Sequence, residues 1–344
     1  MILENPYSDV DFGAVVHERA ETHMHANHDG GRTDAHVMLD EYDDADYGAV
    51  AIASAPAATD FDKTQWSWPW MELSEIEGED YEDRYPLGHH DETEDDDERV
   101  DMHAIKGIES TISDTNHITY YFADEYYNLD EDQSVKTRLE KMMDDGGLAS
   151  ISHPEFHGVS GANWEEYRDY YQEFDDLRLE VVGRASPDSV NLWDQLLTYF
   201  APERTIYGHG ADDGKATSHV DEFSDTLLVD SLTEQNVESA YRNGGWYFSD
   251  NGSDGSRPRL TDVSVSGSTI TISADDHDQI RWISGGFLVG TGPSYDVSEG
   301  NFGYVRAEIH GNSTTYTQPF LTEENTNPWH TKIGDTTLGS IDIS

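Results

Sequence analysis

The stretch Thr-His-Met-His at 22–25 places two imidazole side chains, His23 and His25, one residue apart. On an extended strand, residues two positions apart point to the same side, so both imidazoles can bind one metal ion. The chain contains 16 histidines, and two surface histidines are the alternative interpretation of such a pair. The spacing permits a metal site. Whether it indicates one depends on whether the rest of the chain supplies further metal-binding residues.

Residue types that bind metals recur at the ends of other short apolar segments. Glu109 lies in AIKGIES, His117 precedes ITYYF, His153 closes LASISH, and Asp212 and Asp213 follow YGHGA. In α/β barrels, the active site is assembled from side chains at the ends of several strands. Nitrogen and oxygen ligands without sulfur suit Zn, Mn or Fe. These residues therefore predict one metal site built from separate strands.

The elements that would position these side chains alternate along the first 250 residues. Short apolar segments predict strands at 49–53, 117–122, 148–153, 178–183 and 204–210. Apolar positions three or four apart predict helices at 34–47, 134–145, 164–174, 190–200 and 233–243. Strands and helices repeated in this order are typical of a parallel α/β sheet or barrel.

A change of pattern near Gly252 predicts a second domain. The stretch NGSDGSRP at 251–258 is typical of a linker, and after it apolar residues alternate with a period of two. Within that region, DVSVSGSTITIS at 262–273 predicts a hairpin around its Ser-Gly-Ser turn. The expected organisation is a barrel over 1–252, a small antiparallel β-sandwich over 258–322 and a tail over 323–344.

An acidic insertion at about 60–103 fits neither pattern. Between Asp60 and Asp101 it has 17 acidic and 3 basic residues, together with the aromatic stretch WSWPW at 66–70. A solvated acidic loop is the simpler interpretation. The alternative is a lid over the site, with Trp66, Trp68 and Trp70 packed on the barrel.

The charge balance of the 344 residues limits the classes of partner. The chain has 20 Lys plus Arg against 71 Asp plus Glu, which gives a net charge of −51. Such a surface repels phosphate backbones and anionic membranes. At molar salt the Debye length falls to roughly 3 Å, which screens the self-repulsion of a compact acidic chain. The composition therefore predicts a halophilic protein from a haloarchaeon or a similar organism, with no nucleic-acid or membrane partner.

The remaining composition predicts a folded protein of the cytoplasm. The 8 Trp, 19 Tyr and 11 Phe supply more large apolar surface than a disordered chain carries. The lack of cysteine excludes disulfides and thiolate metal ligands. No apolar run approaches 18 residues, and the opening MILENPYSDV lacks the features of an export signal.

The order of these motifs resembles the polymerase and histidinol phosphatase (PHP) superfamily of metal-dependent phosphoesterases over about residues 5–250. The shared pattern is His-x-His, a Gly-Ile-Glu strand end, a His before an apolar run, His-Pro, and a Gly-x-Asp. The stretch at 25–53 is similar to the segment that follows the family's first motif. The phrases WISGG and YVRAEI are similar to the tail of the branch that includes carbaryl-hydrolase-like metallohydrolases. The resemblance implies a distorted (β/α)7-type barrel followed by a small antiparallel β-sandwich.

The resemblance also implies a ligand set for two divalent metal ions, Zn, Mn or Fe. One ion would be held by His23, His25, Glu109 and Asp212. Glu109 would bridge to a second ion held by His117 and His153. The neighbouring Asp213 would orient a water or act as general base, and a surface acid is the alternative.

Two departures from the family pattern concern a third metal position. Where the family has Thr-Asp-His after its second strand, this chain has Ala53-Ser54-Ala55. Where the family ends its last motif as Asp-x-His, this chain has Asp212-Asp213-Gly214. The resemblance implies that the missing histidines serve mainly a third metal, so a two-metal site is the simplest interpretation. His28 is the nearby residue that could stand in.

Recognition of a phosphate needs positive charge besides the metals. Arg184 and Arg32 are favoured over Lys215, because a guanidinium can bind phosphate through two parallel hydrogen bonds. A surface salt bridge is the alternative for each of them. Glu180, in the strand before Arg184, resembles a family position without a role that the sequence can supply.

The expected function is that of a metal-dependent phosphoesterase acting on a small phosphomonoester or nucleotide. Water activated by two metal ions would be the attacking group, and Glu109, Asp213 and Arg184 are the predicted catalytic residues. A carbamate or ester hydrolase using the same site is one alternative, and a protein that binds metal or ligand without turnover is another. The sequence leaves the substrate, the metal and the oligomeric state open.

Overall fold

The computed structural model describes residues 1–26, 33–53, 102–110, 117–122, 134–144, 146–154, 164–184, 189–251 and 256–324. Nearly all of the acidic insertion, with Trp66, Trp68 and Trp70, lies outside these residues. His28 and Arg32 also lie outside them, as does most of the tail beyond residue 322.

The helices of the described part match the five that the periodicity predicts. They are α1 (Ala35–Asp44), α2 (Val135–Asp144), α3 (Trp164–Glu173), α4 (Ser189–Phe200) and α5 (Glu234–Asn243). Helix α5 begins where the Thr233 side chain accepts a hydrogen bond from the Asn236 amide, and it ends at Gly244 with φ 80°. No helix in the described ranges is both long and apolar enough to cross a membrane.

The strands of the described part are numbered in chain order. They are β1 (Ile2–Glu4), β2 (Val16–Met24), β3 (Tyr47–Ile52), β4 (His103–Ala104), β5 (Gly107–Ser110), β6 (Ile118–Tyr121), β7 (Leu148–Ile151), β8 (Leu177–Gly183), β9 (Gly208–Ala211), β10 (Phe223–Val229), β11 (Trp246–Asp250), β12 (Arg259–Ser266), β13 (Thr269–Asp275), β14 (Gln279–Ser284), β15 (Phe287–Thr291), β16 (Ser294–Asp296), β17 (Tyr304–His310), β18 (Thr314–Thr317) and β19 (Phe320–Thr322).

These strands form three sheets. Eleven strands lie in one sheet with the order β1-β19-β17-β18-β11-β10-β2-β3-β4, where β14 pairs with β15 and β17. A five-stranded sheet has the order β5-β6-β7-β8-β9, and a three-stranded sheet has the order β12-β13-β16. The chain is therefore a mixed α/β protein.

The sheets that carry the predicted ligands are mixed, whereas the sequence predicted parallel pairing throughout. Strands β7, β8 and β9 are parallel, but β6 is antiparallel to both β5 and β7. His117 precedes β6, so the reversed direction of this strand brings its beginning to the edge where β5 and β7 end. The antiparallel strand thereby leaves His117 at the same edge as the other predicted ligands.

The closed (β/α)7 barrel expected from the resemblance is not confirmed. Within the described ranges, no strand ladder joins the eleven-stranded sheet to the five-stranded one. Single backbone hydrogen bonds connect them instead, from Glu109 N to Ala53 O at 2.8 Å and from His25 N to Gly214 O at 2.7 Å. Side-chain hydrogen bonds also join the two sheets, from Gly210 N to Oδ1 of Asp225 and from Nε1 of Trp246 to Gly208 O.

The antiparallel region after residue 256 shares a sheet and a core with the first part of the chain. Strand β18 pairs with β11, with Thr317 opposite Tyr247, across the boundary that the linker pattern predicts. A single hydrophobic cluster contains Tyr7 and Tyr247 together with Trp282. The predicted hairpin at 262–273 is present as β12 and β13, and its turn contains Gly267 with φ 64°.

Candidate metal centre

Six of the predicted site residues converge where strands of the two larger sheets end or begin. Two lie at the end of β2, one in β5, one before β6, one after β7 and one after β9. In chain order they are His23, His25, Glu109, His117, His153 and Asp213.

The Glu109 carboxylate lies at the centre of this cluster. Its Oε1 atom is 2.7 Å from Nδ1 of His117, 3.0 Å from Nε2 of His153 and 3.3 Å from Nε2 of His23. Its Oε2 atom is 3.3 Å from Nε2 of His25. Because the two oxygens face different imidazoles, this single carboxylate can contribute to two neighbouring ligand groups.

Asp213 is the second carboxylate of the cluster. Its Oδ1 atom lies 2.9 Å from Nε2 of His25 and 3.7 Å from Nε2 of His23. Two buried groups of potential ligands result, and in each the ligand atoms lie within 4.8 Å of one another. These groups are His23 with His25 and Asp213, and His23 with Glu109 and His153.

Two residues of the cluster have backbone conformations that side chains disfavour. The φ angle is 28° at His153 and 45° at Asp213, both in the left-handed region that non-glycine residues rarely adopt. Each such conformation costs on the order of 1 kcal/mol and persists only where the surroundings impose it. Backbone strain of this kind clusters at functional sites, which makes His153 and Asp213 candidates for a functional role.

Asp212 has entirely different surroundings from Asp213. Its carboxylate accepts backbone hydrogen bonds from Asp221, Glu222 and Phe223 at 2.8–3.0 Å, and one from the Tyr42 hydroxyl at 3.0 Å. From the resemblance, the sequence analysis expected Asp212 to bind the metal. It expected Asp213 to orient a water or to act as general base, with a surface acid as the alternative. In the structure Asp213 faces the histidines, while Asp212 fixes the loop that leads into β10.

The two adjacent carboxyl groups also differ in acidity. Burial raises the pKa of Asp212 to about 7. Burial would raise the pKa of Asp213 too, but the hydrogen bond from His25 and the charge of His23 hold it below its usual range. Of these two, Asp213 is therefore the one that faces the cluster as an anion.

Glu180 in β8 orients one of the imidazoles. Its Oε2 atom lies 2.9 Å from Nδ1 of His23, and both side chains are fully buried. When His23 is neutral and its Nδ1 proton is donated to Glu180, the lone pair of its Nε2 atom faces Glu109 and Asp213. The sequence signal for this role is a single carboxylate inside the apolar strand RLEVVG.

The charges of the cluster stabilise one another. Burial alone would lower the pKa of His23, but Glu109 and Glu180 raise it well above its usual value. Burial alone would raise the pKa of Glu109, but the charge of His23 and the hydrogen bond from His117 hold it well below its usual value. The buried carboxylates of Glu109 and Glu180 therefore favour a positive charge on His23 between them.

The donor atoms fit a transition-metal site. Within the described ranges, the buried Nε2 atom of His23 makes no hydrogen bond, which is what a ligand atom requires. The cluster offers imidazole nitrogens and carboxylate oxygens, the ligand set of Zn, Mn and Fe. His117 is the most open member, with 19% of its side chain exposed.

Two of the basic residues that the sequence offers for phosphate recognition, Lys215 and Arg184, make ion pairs, which was the alternative interpretation of each. Lys215 donates to both oxygens of Asp213, with distances of 2.6 and 2.7 Å from Nζ. Arg184 is paired with Glu222, at 2.5 Å between Nη2 and Oε1.

No family model matches the chain, and no curated protein matches it. Among solved structures, it is similar to a two-domain protein from Bacteroides vulgatus described as containing a predicted PHP-like metal-dependent phosphoesterase. The two chains are 12% identical with a TM-score of 0.48, and the match covers 92% of this chain and 89% of the other.

Proposed function

We propose that this protein is a metal-dependent hydrolase of the PHP type, and that it acts as a phosphoesterase on a small phosphoester. The observation that supports this most directly is the position of Glu109 among four imidazoles, with Asp213 beside two of them. Such a cluster concentrates metal ligands where strands from separate sheets meet, in the way that α/β enzymes assemble their sites.

The ligands divide into two sets around Glu109. His23, His25 and Asp213 with the Oε2 side of Glu109 would hold one divalent ion. The Oε1 side of Glu109 with His117 and His153 would hold a second. Zn, Mn and Fe all suit this set.

The residues of the chain have distinct roles in this proposal. Divalent cations at such a site lower the pKa of a bound water toward about 7 and neutralise charge that builds up on the substrate. Glu109 spans the two ligand sets, and Glu180 holds His23 in the tautomer that presents Nε2. The low pKa of Asp213 favours a ligand role over that of general base, because a strongly acidic carboxyl accepts protons poorly.

The charge at the rim supports a phosphoester over a neutral ester or carbamate. Lys215 contacts Asp213 directly, and burial together with the charge of Arg184 lowers the pKa of His219, a residue whose Nδ1 accepts from the Lys215 amide. An anionic substrate gains from these cations in a chain whose net charge is −51. Arg184 is 35% exposed and could contact a phosphate after leaving Glu222.

We propose further that β2, β3 and β5 to β9 form an opened version of the seven-stranded PHP barrel. The backbone hydrogen bonds Glu109 N to Ala53 O and His25 N to Gly214 O lie at the two gaps of that ring. The domain boundary near residues 252–258, the cytoplasmic location and the halophilic origin belong to the same proposal. If the acidic surface is an adaptation to salt, the folded protein should be more stable in molar KCl than in dilute buffer.

Metal content measured on the intact protein tests this proposal. The wild type, purified in molar KCl without a His tag, should carry about two transition-metal ions per chain. The Glu109→Ala variant should lose most of this metal and all hydrolytic activity, whereas Glu203→Ala, at an exposed glutamate, should keep both. A screen of phosphomonoesters, phosphodiesters, esters and carbamates then identifies the substrate class. A wild type that takes up no metal would contradict the proposal.

A further inference from the structure

The Lys215 ammonium group occupies the outer side of the candidate metal centre. Its hydrogen bonds to the two oxygens of Asp213, at 2.6 and 2.7 Å, use two of its three donors. The Lys215 side chain is 41% exposed, whereas that of Asp213 is 7% exposed. The ammonium group therefore joins the buried Asp213 carboxylate to the solvent-exposed surface.

The backbone of the loop holds Lys215 in a fixed position relative to the histidines. The Lys215 amide donates to Nδ1 of His219 at 3.2 Å, and the Lys215 carbonyl accepts from the Thr33 amide at 3.3 Å. The preceding carbonyl, of Gly214, accepts from the His25 amide at 2.7 Å. Because the same loop binds the backbone of His25, the ammonium group is positioned together with that ligand.

The electrostatic surroundings of Lys215 favour an interaction with an anionic substrate in addition to its ion pair with Asp213. An anionic substrate that approaches this chain meets a net charge of −51 and, at the site, the carboxylates of Glu109 and Asp213. Lys215 contacts both oxygens of Asp213, of which Oδ1 also faces His25, and adds a positive charge at that point. Arg184 cannot do the same without leaving Glu222. A charge-assisted hydrogen bond from an ammonium group to a phosphoryl oxygen is among the stronger polar contacts available.

We propose that Lys215 is a specificity-determining residue that donates a hydrogen bond to a non-bridging oxygen of the substrate's phosphoryl group. It does so while it remains on Asp213, so the carboxylate positions the ammonium group and the ammonium group selects for an anion. This inference rests on the proposed function, because it assumes that the cluster binds metal and that the substrate carries a phosphate.

Binding of inorganic phosphate to the metal-loaded protein tests the proposal. Calorimetry at constant KCl would compare the wild type with Lys215→Met, Lys215→Arg and the matched control Lys106→Met, whose lysine pairs with Glu234 away from the cluster. We expect Lys215→Met to keep its metal and to bind phosphate about 10-fold or more weakly, as loss of a charge-assisted hydrogen bond predicts. Lys215→Arg should recover part of the affinity, and Lys106→Met should match the wild type. With a phosphomonoester substrate, the same loss should raise KM.

The outcomes separate this inference from the function on which it rests. Unchanged phosphate affinity in a metal-loaded Lys215→Met variant would overturn the role of Lys215 and leave the metal site intact. Loss of metal from that variant would also overturn it, since Lys215 would then serve only to position Asp213 as a ligand. A metal-loaded wild type that does not bind phosphate would exclude the anionic substrate class. A wild type without metal would overturn the proposed function itself.

Discussion

Among the described residues, two of the regions that bury charged groups satisfy these groups in opposite ways. Between α4 and β17, Oδ1 of Asp194 accepts from Nε of Arg306 and from the Tyr304 hydroxyl, both at 2.8 Å. Its Oδ2 accepts from Nη2 of Arg306 at 2.8 Å. Every oxygen of this carboxylate therefore has a fixed donor supplied by the chain itself.

In the candidate metal centre, the central carboxylate contacts His117 and His153, but its contact with His23 has no fixed donor. Because Nδ1 of His23 donates to Glu180, a neutral His23 ring presents a lone pair to Oε1 of Glu109 across 3.3 Å. Two acceptors that face each other at this distance need a positive charge, which a proton on His23 or a bound cation can supply. The Asp194 carboxylate, whose oxygens all accept hydrogen bonds from the chain, holds α4 and β17 together. The Glu109 carboxylate, which faces a ring nitrogen without a fixed proton, is suited to binding a cation.

The largest effect should come from breaking the closed ion pair. Arg306→Met leaves Asp194 buried without its partner, and Glu308 also loses an ion pair at 2.9 Å. We expect the free energy of unfolding to fall by about 3–5 kcal/mol, measured by chemical denaturation at fixed KCl. The metal content of the chains that remain folded should be unchanged.

The exposed pair between Lys136 and Glu173 is the control for this experiment. Lys136→Met should leave the unfolding midpoint where it is in the wild type, because exposed ion pairs contribute little. If Arg306→Met instead removed metal from folded chains, the two regions would not be independent, and the comparison would fail.

A sharper version of the comparison uses the adjacent carboxylates Asp213 and Asp212. Asp213→Asn removes an anionic ligand, so we expect metal affinity to fall by more than about 100-fold. Loss of a residue that only hydrogen-bonds to a metal ligand costs up to about 100-fold, and loss of the ligand itself should cost more. Asp212→Asn should keep the metal but lose about 1–3 kcal/mol of stability, because the amide cannot accept all of the loop's hydrogen bonds. Competition with a chelator and denaturation curves measure the two effects, and the reverse pattern would return the ligand role to Asp212.

The sequence predicts the residue types of the site better than their individual assignments. His23, His25, Glu109, His117 and His153 could be proposed as a set because metal-ligand types recur beside short apolar segments. The choice between Asp212 and Asp213 could not be made in this way, because it depends on a positive φ at Asp213 and on three backbone amides that capture Asp212. Neither feature has a signature in the order of the residues.

The secondary structure shows the same difference between features set by nearby residues and features set by residues far apart in the chain. The five helices of the described residues follow from periodicity, and the β12–β13 hairpin follows from alternation around a turn. The antiparallel direction of β6 and the ladder between β11 and β18 do not follow from either pattern. Strand pairing depends on contacts between residues far apart in the chain, and apolar segments alone do not specify direction or partner.

The smallest expected effect concerns Glu180, which contacts the cluster only through His23. Glu180→Gln keeps the size of the side chain but removes the charge that holds the Nδ1 proton, so the ring can adopt the other tautomer. We expect metal affinity to fall by about 10–100-fold, the usual range for such a partner, with the fold intact. Glu21→Gln is the matched control, because Glu21 is equally buried but accepts from the backbone amides of His23 and Asp212. Equal metal affinities in the two variants would show that burial of a charge near His23, and not its contact with the imidazole, sets the affinity.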